Sequence, residues 1–165
     1  MAESISCVPD PDLRWMRRAV DLAEEAARAE EVPVGAVIVR DGKIVAEARN
    51  EVEALGDPTA HAEMLAIRRA AGGPGRPRLE GAALYTTLEP CAMCAGAVLL
   101  ARFDRLVFAA RDPKGGCAGS LYDLLTDPRF NHRVVVAEGP LAEESAGLLQ
   151  AFLRARRNAA EETRG

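Results

Sequence analysis

An acidic residue stands directly before a proline four times in this chain, at Asp10-Pro11, Asp57-Pro58, Glu89-Pro90 and Asp127-Pro128. Proline has a fixed φ and no N–H, so it suits the first turn of a helix and breaks an element already running. The four pairs therefore cut the chain into segments and mark helix or turn starts. After the first pair, Leu13, Met16, Val20 and Ala23 recur at helical spacing, which predicts a helix over about 11–30. "VPVGAVIV" reads as a buried strand over 34–39, "RDGK" carries the Asp-Gly hairpin signal, and "IVAEAR" is its antiparallel partner. "EVEALGDPT" is expected as a loop, 60–71 as a second helix stopped by Gly72-Gly73-Pro74, and 83–88 as a third strand. A third helix over 90–101, a fourth strand "RLVFAA" and a glycine-rich loop "RDPKGGCAGS" follow. A short helix near 121–125, a fifth strand over 134–137 and a last helix over about 141–158 complete the order, with "AAEETRG" frayed.

An opening hairpin followed by strands alternating with helices implies an α/β fold: a three-layer α/β/α domain around one mixed five-stranded sheet, its later strands parallel. With 165 residues the chain is expected as a single domain over 1–165, flexible at about 1–9 and 159–165. The net charge of −4 argues against a nonspecific basic coat for nucleic acid, although Arg154, Arg156 and Arg157 make a local basic cluster. No apolar leader is legible at the N-terminus, and the longest apolar run, 91–101, is too short for a bilayer, so a cytoplasmic protein with no membrane partner is expected. Four cysteines, Cys7, Cys91, Cys94 and Cys117, show no disulfide framework. Cys7 and Cys117 are isolated and read as ordinary small residues.

Cys91 and Cys94 are different, being three apart and at the start of a helix. A strand followed by C-x-x-C opening a helix is also the local context of a redox pair. Upstream, His61 and Glu63 open the preceding helix in the same way. Positions i and i+3 share a helix face, so both sulfurs can reach one ion. His61 and Glu63, two apart, can converge only beyond the helix end. One imidazole and two thiolates suit zinc. A closed structural site would need a fourth ligand, and Cys7, Cys117 and His132 lack ligand-pair spacing. An open position marks catalysis, with Glu63 as the carboxylate that moves a proton.

H-x-E followed by P-C-x-x-C is the zinc deaminase signature. Over about 12–157 the chain resembles the bacterial tRNA adenosine deaminases of the cytidine deaminase superfamily. The resemblance rests on "EVPVGAVIV", "DPTAHAE", "LYTTLEPCAMCAGA", "ARDPKGGCAGSLYDLL", "NHRVVVAEG" and "LLQAFLRARR". It implies a cytidine deaminase-like fold. It also implies one zinc ion per subunit on His61, Cys91 and Cys94, with Glu63 as proton shuttle and no organic cofactor. The implied reaction is attack of a zinc-bound hydroxide on C6 of adenine while N1 is protonated, releasing ammonia and leaving inosine. The implied substrate is the wobble adenosine of a tRNA anticodon loop, flipped into the pocket. Asn50 and the backbone around Ala62 match positions that hold the base edge. Asp112 and Lys114 match the loop beside the anticodon, and Arg154, Arg156 and Arg157 would meet phosphates. A homodimer is implied as well. Turn chemistry alone also accounts for Asn50, Asp112 and Lys114. The same four central residues would serve a deaminase of a free base or nucleoside, and a non-catalytic zinc subunit would usually lack Glu63.

Overall fold

The computed structural model describes residues 10–72 and 74–163. Cys7 and the flexible stretch expected over 1–9 lie outside the described residues. Helix α1 (Pro11–Arg28) starts as the first acid–proline pair predicts. Asp10 is its N-cap, accepting from the Asp12 N–H at 2.9 Å, and Pro11 fills the first turn. The buried stripe runs through Trp15, Met16, Ala19, Leu22, Ala23 and Ala26. Leu13, expected in it, is 43% exposed. Val20, seven residues on and on the same side of the helix, is fully buried, so it is Leu13's place in the first turn that leaves it open.

Strands β1 (Gly35–Arg40) and β2 (Lys43–Arg49) form the antiparallel hairpin, with an irregularity between Ile38 and Val39. β3 (Ala82–Leu88) pairs antiparallel with β1. β4 (Arg105–Ala110) and β5 (Val135–Glu138) follow in parallel, giving the order β2-β1-β3-β4-β5. Four strands therefore point one way and β1 alone opposes them. α3 (Ala62–Ala71) and α4 (Ala92–Leu100) cover one face, where Leu65, Ala66, Val98 and Leu99 pack with Ile38, Leu84, Leu106 and Phe108. α1 and α5 (Ala142–Glu162) cover the other, over Val37, Tyr85 and Val107. Val37 and Ile38 thus feed opposite cores, as the strand period of two requires. α1 lies so close on β1 that a Cβ at Gly35 would stand 2.0 Å from the Ala19 carbonyl oxygen. Among the described residues no helix is long and apolar enough to cross a membrane.

Three segments depart from expectation. "EVEALGDPT" holds a one-turn helix, α2 (Val52–Leu55), whose N-cap Glu51 makes no side-chain cap bond. Residues 121–125 are not helical. Instead Leu121 and Tyr122 donate backbone bonds to the Gly116 carbonyl, and Ala118 bridges Asp123. The last helix continues past 158 to Glu162.

Candidate active site

His61 is the N-cap residue of α3 and Cys91 that of α4, and neither side chain caps its own helix. Both are left free to turn toward one point, beyond the carboxyl end of β3, where the two helix N-termini meet. His61 Nδ1 lies 3.6 Å from Cys91 Sγ and 3.6 Å from Cys94 Sγ. The three ligand atoms all fall within 4.8 Å of one another. Zinc bonds of about 2.3 Å to sulfur and about 2.05 Å to nitrogen, at a tetrahedral angle, put N and S about 3.6 Å apart. The donor set therefore fits zinc in both chemistry and spacing.

Glu63 stands in the first turn of α3, 4% exposed. Its Oε1 lies 3.1 Å from the Thr86 hydroxyl, and its Oε2 is 3.6 Å from Cys94 Sγ. Burial raises its pKa, against the lowering pull of nearby backbone and of His61. Cys91 is held down to about 4, chiefly by Cys94 as a hydrogen-bond donor, while Cys94 is pushed up by the same contact and by burial. A low-pKa thiol at a helix N-terminus is the form a metal takes as ligand.

These groups open onto a cavity of about 320 Å³, the small end of ligand pockets and suited to a single flat ring. His61, Glu63, Cys91, Asn50 and Asp112 all line it, so five of the expected residues converge. Ala62 is fully buried between His61 and Glu63. Asp112 Oδ1 accepts from the Lys114 and Gly115 N–H groups, so turn chemistry and a place at the cavity coexist there. Lys114 is exposed and does not line the cavity. Arg154, Arg156 and Arg157 are exposed on α5. Of these, Arg156 reaches the rim, 4.0 Å from the rim residue Glu53. Cys117 is buried, its thiol donating to the Gly115 carbonyl.

Two buried carboxylates escaped the sequence reading. Glu89 accepts from the N–H groups of Asp112, Ala118 and Ser120 and from the Ser120 hydroxyl. Burial pushes its pKa up, but these bonds outweigh that and hold it below the usual value. It thereby ties the glycine-rich loop to the strand end that carries Cys91. Gly116 has no room for a side chain, since a Cβ there would stand 2.4 Å from the Glu89 carboxylate. Glu31, 1% exposed, also lines the cavity and bonds Asn50. A carboxylate beside apolar residues, as in "EVPVG" and "TLEP", was the available signal.

Comparison with known proteins bears on this site directly. The model of the cytidine and deoxycytidylate deaminase zinc-binding region matches residues 9–110. The tRNA-specific adenosine deaminase of Bacillus subtilis (strain 168) is 52% identical over 143 residues, 87% of this chain and 89% of that one. That of Aquifex aeolicus (strain VF5) is 46% identical, over 87% of this chain and 95% of that one. A solved structure from work on A-to-I editing by tRNA:A34 deaminases superposes with a TM-score of 0.79 at 44% identity, covering 83% of this chain and 99% of that chain. A guanine deaminase from Nitrosomonas europaea superposes with a TM-score of 0.70 at 24% identity, over 88% of this chain and 85% of that one, a likeness of fold alone.

Proposed function

The chain belongs to the cytidine and deoxycytidylate deaminase family, among its tRNA-specific adenosine deaminases, and on that premise we propose a reading residue by residue. The protein is a zinc-dependent enzyme that hydrolyses the amino group of adenosine in tRNA, leaving inosine. His61, Cys91 and Cys94 hold the zinc. When bound, the ion supplies Lewis-acid chemistry that makes a water acidic enough to act near neutral pH.

The chain's own groups do the remaining work. Glu63 is the proton carrier. Its buried carboxyl takes the proton that the attacking water gives up, holds it because burial favours the neutral form, and delivers it to ring N1; the C6–N bond then breaks and the amino group leaves as ammonia. Thr86 holds that carboxyl by its hydroxyl. Asn50 and the backbone at Ala62 bind the base edge, and the cavity has room for one base, which therefore leaves its stack to enter. Asp112 contacts the sugar. Lys114, Arg154, Arg156 and Arg157 meet phosphates of the anticodon loop, which reconciles an acidic chain with an RNA substrate. The protein acts as a homodimer in the cytoplasm. An exposed apolar patch at the end of α4 supports the pairing: Leu100 is 81% exposed and shares one surface cleft with Leu99, Leu124 and the exposed Phe130.

The carrying observation is the equal 3.6 Å spacing of one imidazole nitrogen to two thiol sulfurs beside a buried carboxylate. The test is incubation of the zinc-loaded protein with unmodified tRNA bearing adenosine at the wobble position, followed by sequencing for inosine. Inosine at that position alone is expected. Its absence with zinc bound would overturn the RNA reading in favour of a free base or nucleoside.

A further inference from the structure

Glu31 has no part in holding zinc or moving the proton, yet it is nearly solvent-free at the cavity wall. Its position follows from how α1 ends. Glu30 adopts a left-handed φ of 61°, its N–H bonds the Ala27 carbonyl, and the Glu31 N–H bonds the Ala26 carbonyl. This is a Schellman closure built without glycine, and it turns the chain sharply back toward β1. The turn aims the Glu31 carboxylate inward. There three N–H donors converge on it. Asn50 Nδ2 lies 3.0 Å from Oε2, the Glu53 N–H 3.2 Å from Oε2, and the Ala54 N–H 2.7 Å from Oε1.

Two consequences follow. The Glu53 and Ala54 N–H groups are orphan donors of the first turn of α2, whose own N-cap residue gives no side-chain bond. Glu31 caps that helix from a distant part of the chain. More important is the asymmetry at Asn50. A carboxamide can be turned either way, and only its partners choose. With both Glu31 oxygens acting as acceptors, Nδ2 must face Glu31. Asn50 Oδ1 and the second Nδ2 hydrogen are then presented in one arrangement. The Asn50 backbone is pinned as well, its N–H bonding the Val34 carbonyl at 3.0 Å.

We propose that Glu31 is a positioning residue, setting the face that Asn50 shows to the substrate base through the carboxylate–carboxamide bond across the cavity wall. The inference rests on the deaminase reading and on Asn50 meeting the base. Glu31 touches no reacting atom. It removes the cost of orienting Asn50 at the moment of binding, and it excludes the flipped amide that would show the base edge the wrong donor pattern.

The test is a double-mutant cycle on kcat/KM with wobble-adenosine tRNA, using the zinc-loaded protein and the variants Glu31→Gln, Asn50→Ala and the pair together. Glu31→Gln keeps size but replaces one acceptor with an NH2, so it no longer dictates the amide. Loss of a bond to a charged group predicts a fall of roughly tenfold or more in kcat/KM. If Glu31 acts through Asn50, the double variant is no worse than Asn50→Ala alone. Losses that multiply would overturn the proposal. Glu31→Asp, which keeps both acceptors, is expected to recover part of the activity. If Glu31→Gln does not fold, the cycle is run with Glu31→Asp and read by the same criterion. A wild-type protein inactive on tRNA would strike the deaminase reading instead, so the two failures are distinguishable.

Discussion

The role proposed for Glu63 depends on where it is buried, and its removal has a sharp signature. Glu63→Ala is expected to lower kcat by about a hundredfold to ten-thousandfold while metal analysis still finds one zinc per subunit, since proton transfer by a placed side chain contributes about 10²–10⁴. Retained turnover would sink its assigned role. Tyr85 offers a second measurement. Burial, and then its bond to Asp12 at 2.7 Å, push its pKa up to about 12. Its phenolate absorbance, followed in a Tyr122→Phe background, should therefore emerge only near that pH. His61, Glu63, Cys91 and Cys94 were legible in the chain because each pair is two or three residues apart at a helix start. Asn50 was legible only through resemblance, and Glu31 only as a carboxylate set in an apolar stretch, with nothing to say what it meets. A carboxylate that bonds backbone N–H groups leaves no partner residue to notice.

Gly35 is a point of close approach between α1 and β1. A methyl there meets the α1 backbone at two points, Ala19 O at 2.0 Å and Ala23 N at 2.9 Å, and backbone within a helix cannot give locally. Gly35→Ala should cost about 3 kcal/mol or more, read as a lower denaturation midpoint, in keeping with overpacking of a close-packed core. α1 is also clamped at its start, where Asp12 receives Arg105 at 2.7 and 2.8 Å and the Tyr85 hydroxyl at 2.7 Å. The Arg105 bond, foremost, holds Asp12 below its ordinary 3.8. A depressed folded pKa gives stability that is present above about 3.8 and is lost as pH falls through the lower folded value. Asp12→Asn should therefore flatten the acid limb of the stability curve below about pH 4 and lower the plateau above it. The same logic explains the departures in 116–125. Glu89 takes the N–H groups of Ala118 and Ser120, the Gly116 carbonyl takes two more, and the Leu124 N–H goes to the Cys117 carbonyl instead of the Ser120 carbonyl that a helix would give it. A short apolar run with helical spacing reads the same whether or not a distant carboxylate has claimed its donors.

With the whole molecule acting on RNA, activity should fall steeply with salt. Replacing Arg154, Arg156 and Arg157 by Gln should raise KM, leave kcat nearly unchanged and make the salt slope shallower by up to about one for each phosphate no longer neutralised. Slopes that do not change would remove these arginines from the RNA site. If the proposed homodimer pairs through the exposed end of α4, Leu100→Arg should shift sedimentation toward a monomer; an unaltered mass would remove this face from the proposed interface. The alternation of elements, the layered α/β/α order and the four chemical residues could be read directly from the chain, because period, breaker and ligand spacing act over a few residues. Folding added what separates near-identical motifs: Glu31 meeting Asn50 across nineteen positions, Glu89 gathering a loop, and Arg156 reaching the rim at Glu53. Those meetings depend on sheet register and on how α1 and α5 lie over one face. A carboxylate's reach to backbone N–H across that packing has no counterpart in local pattern.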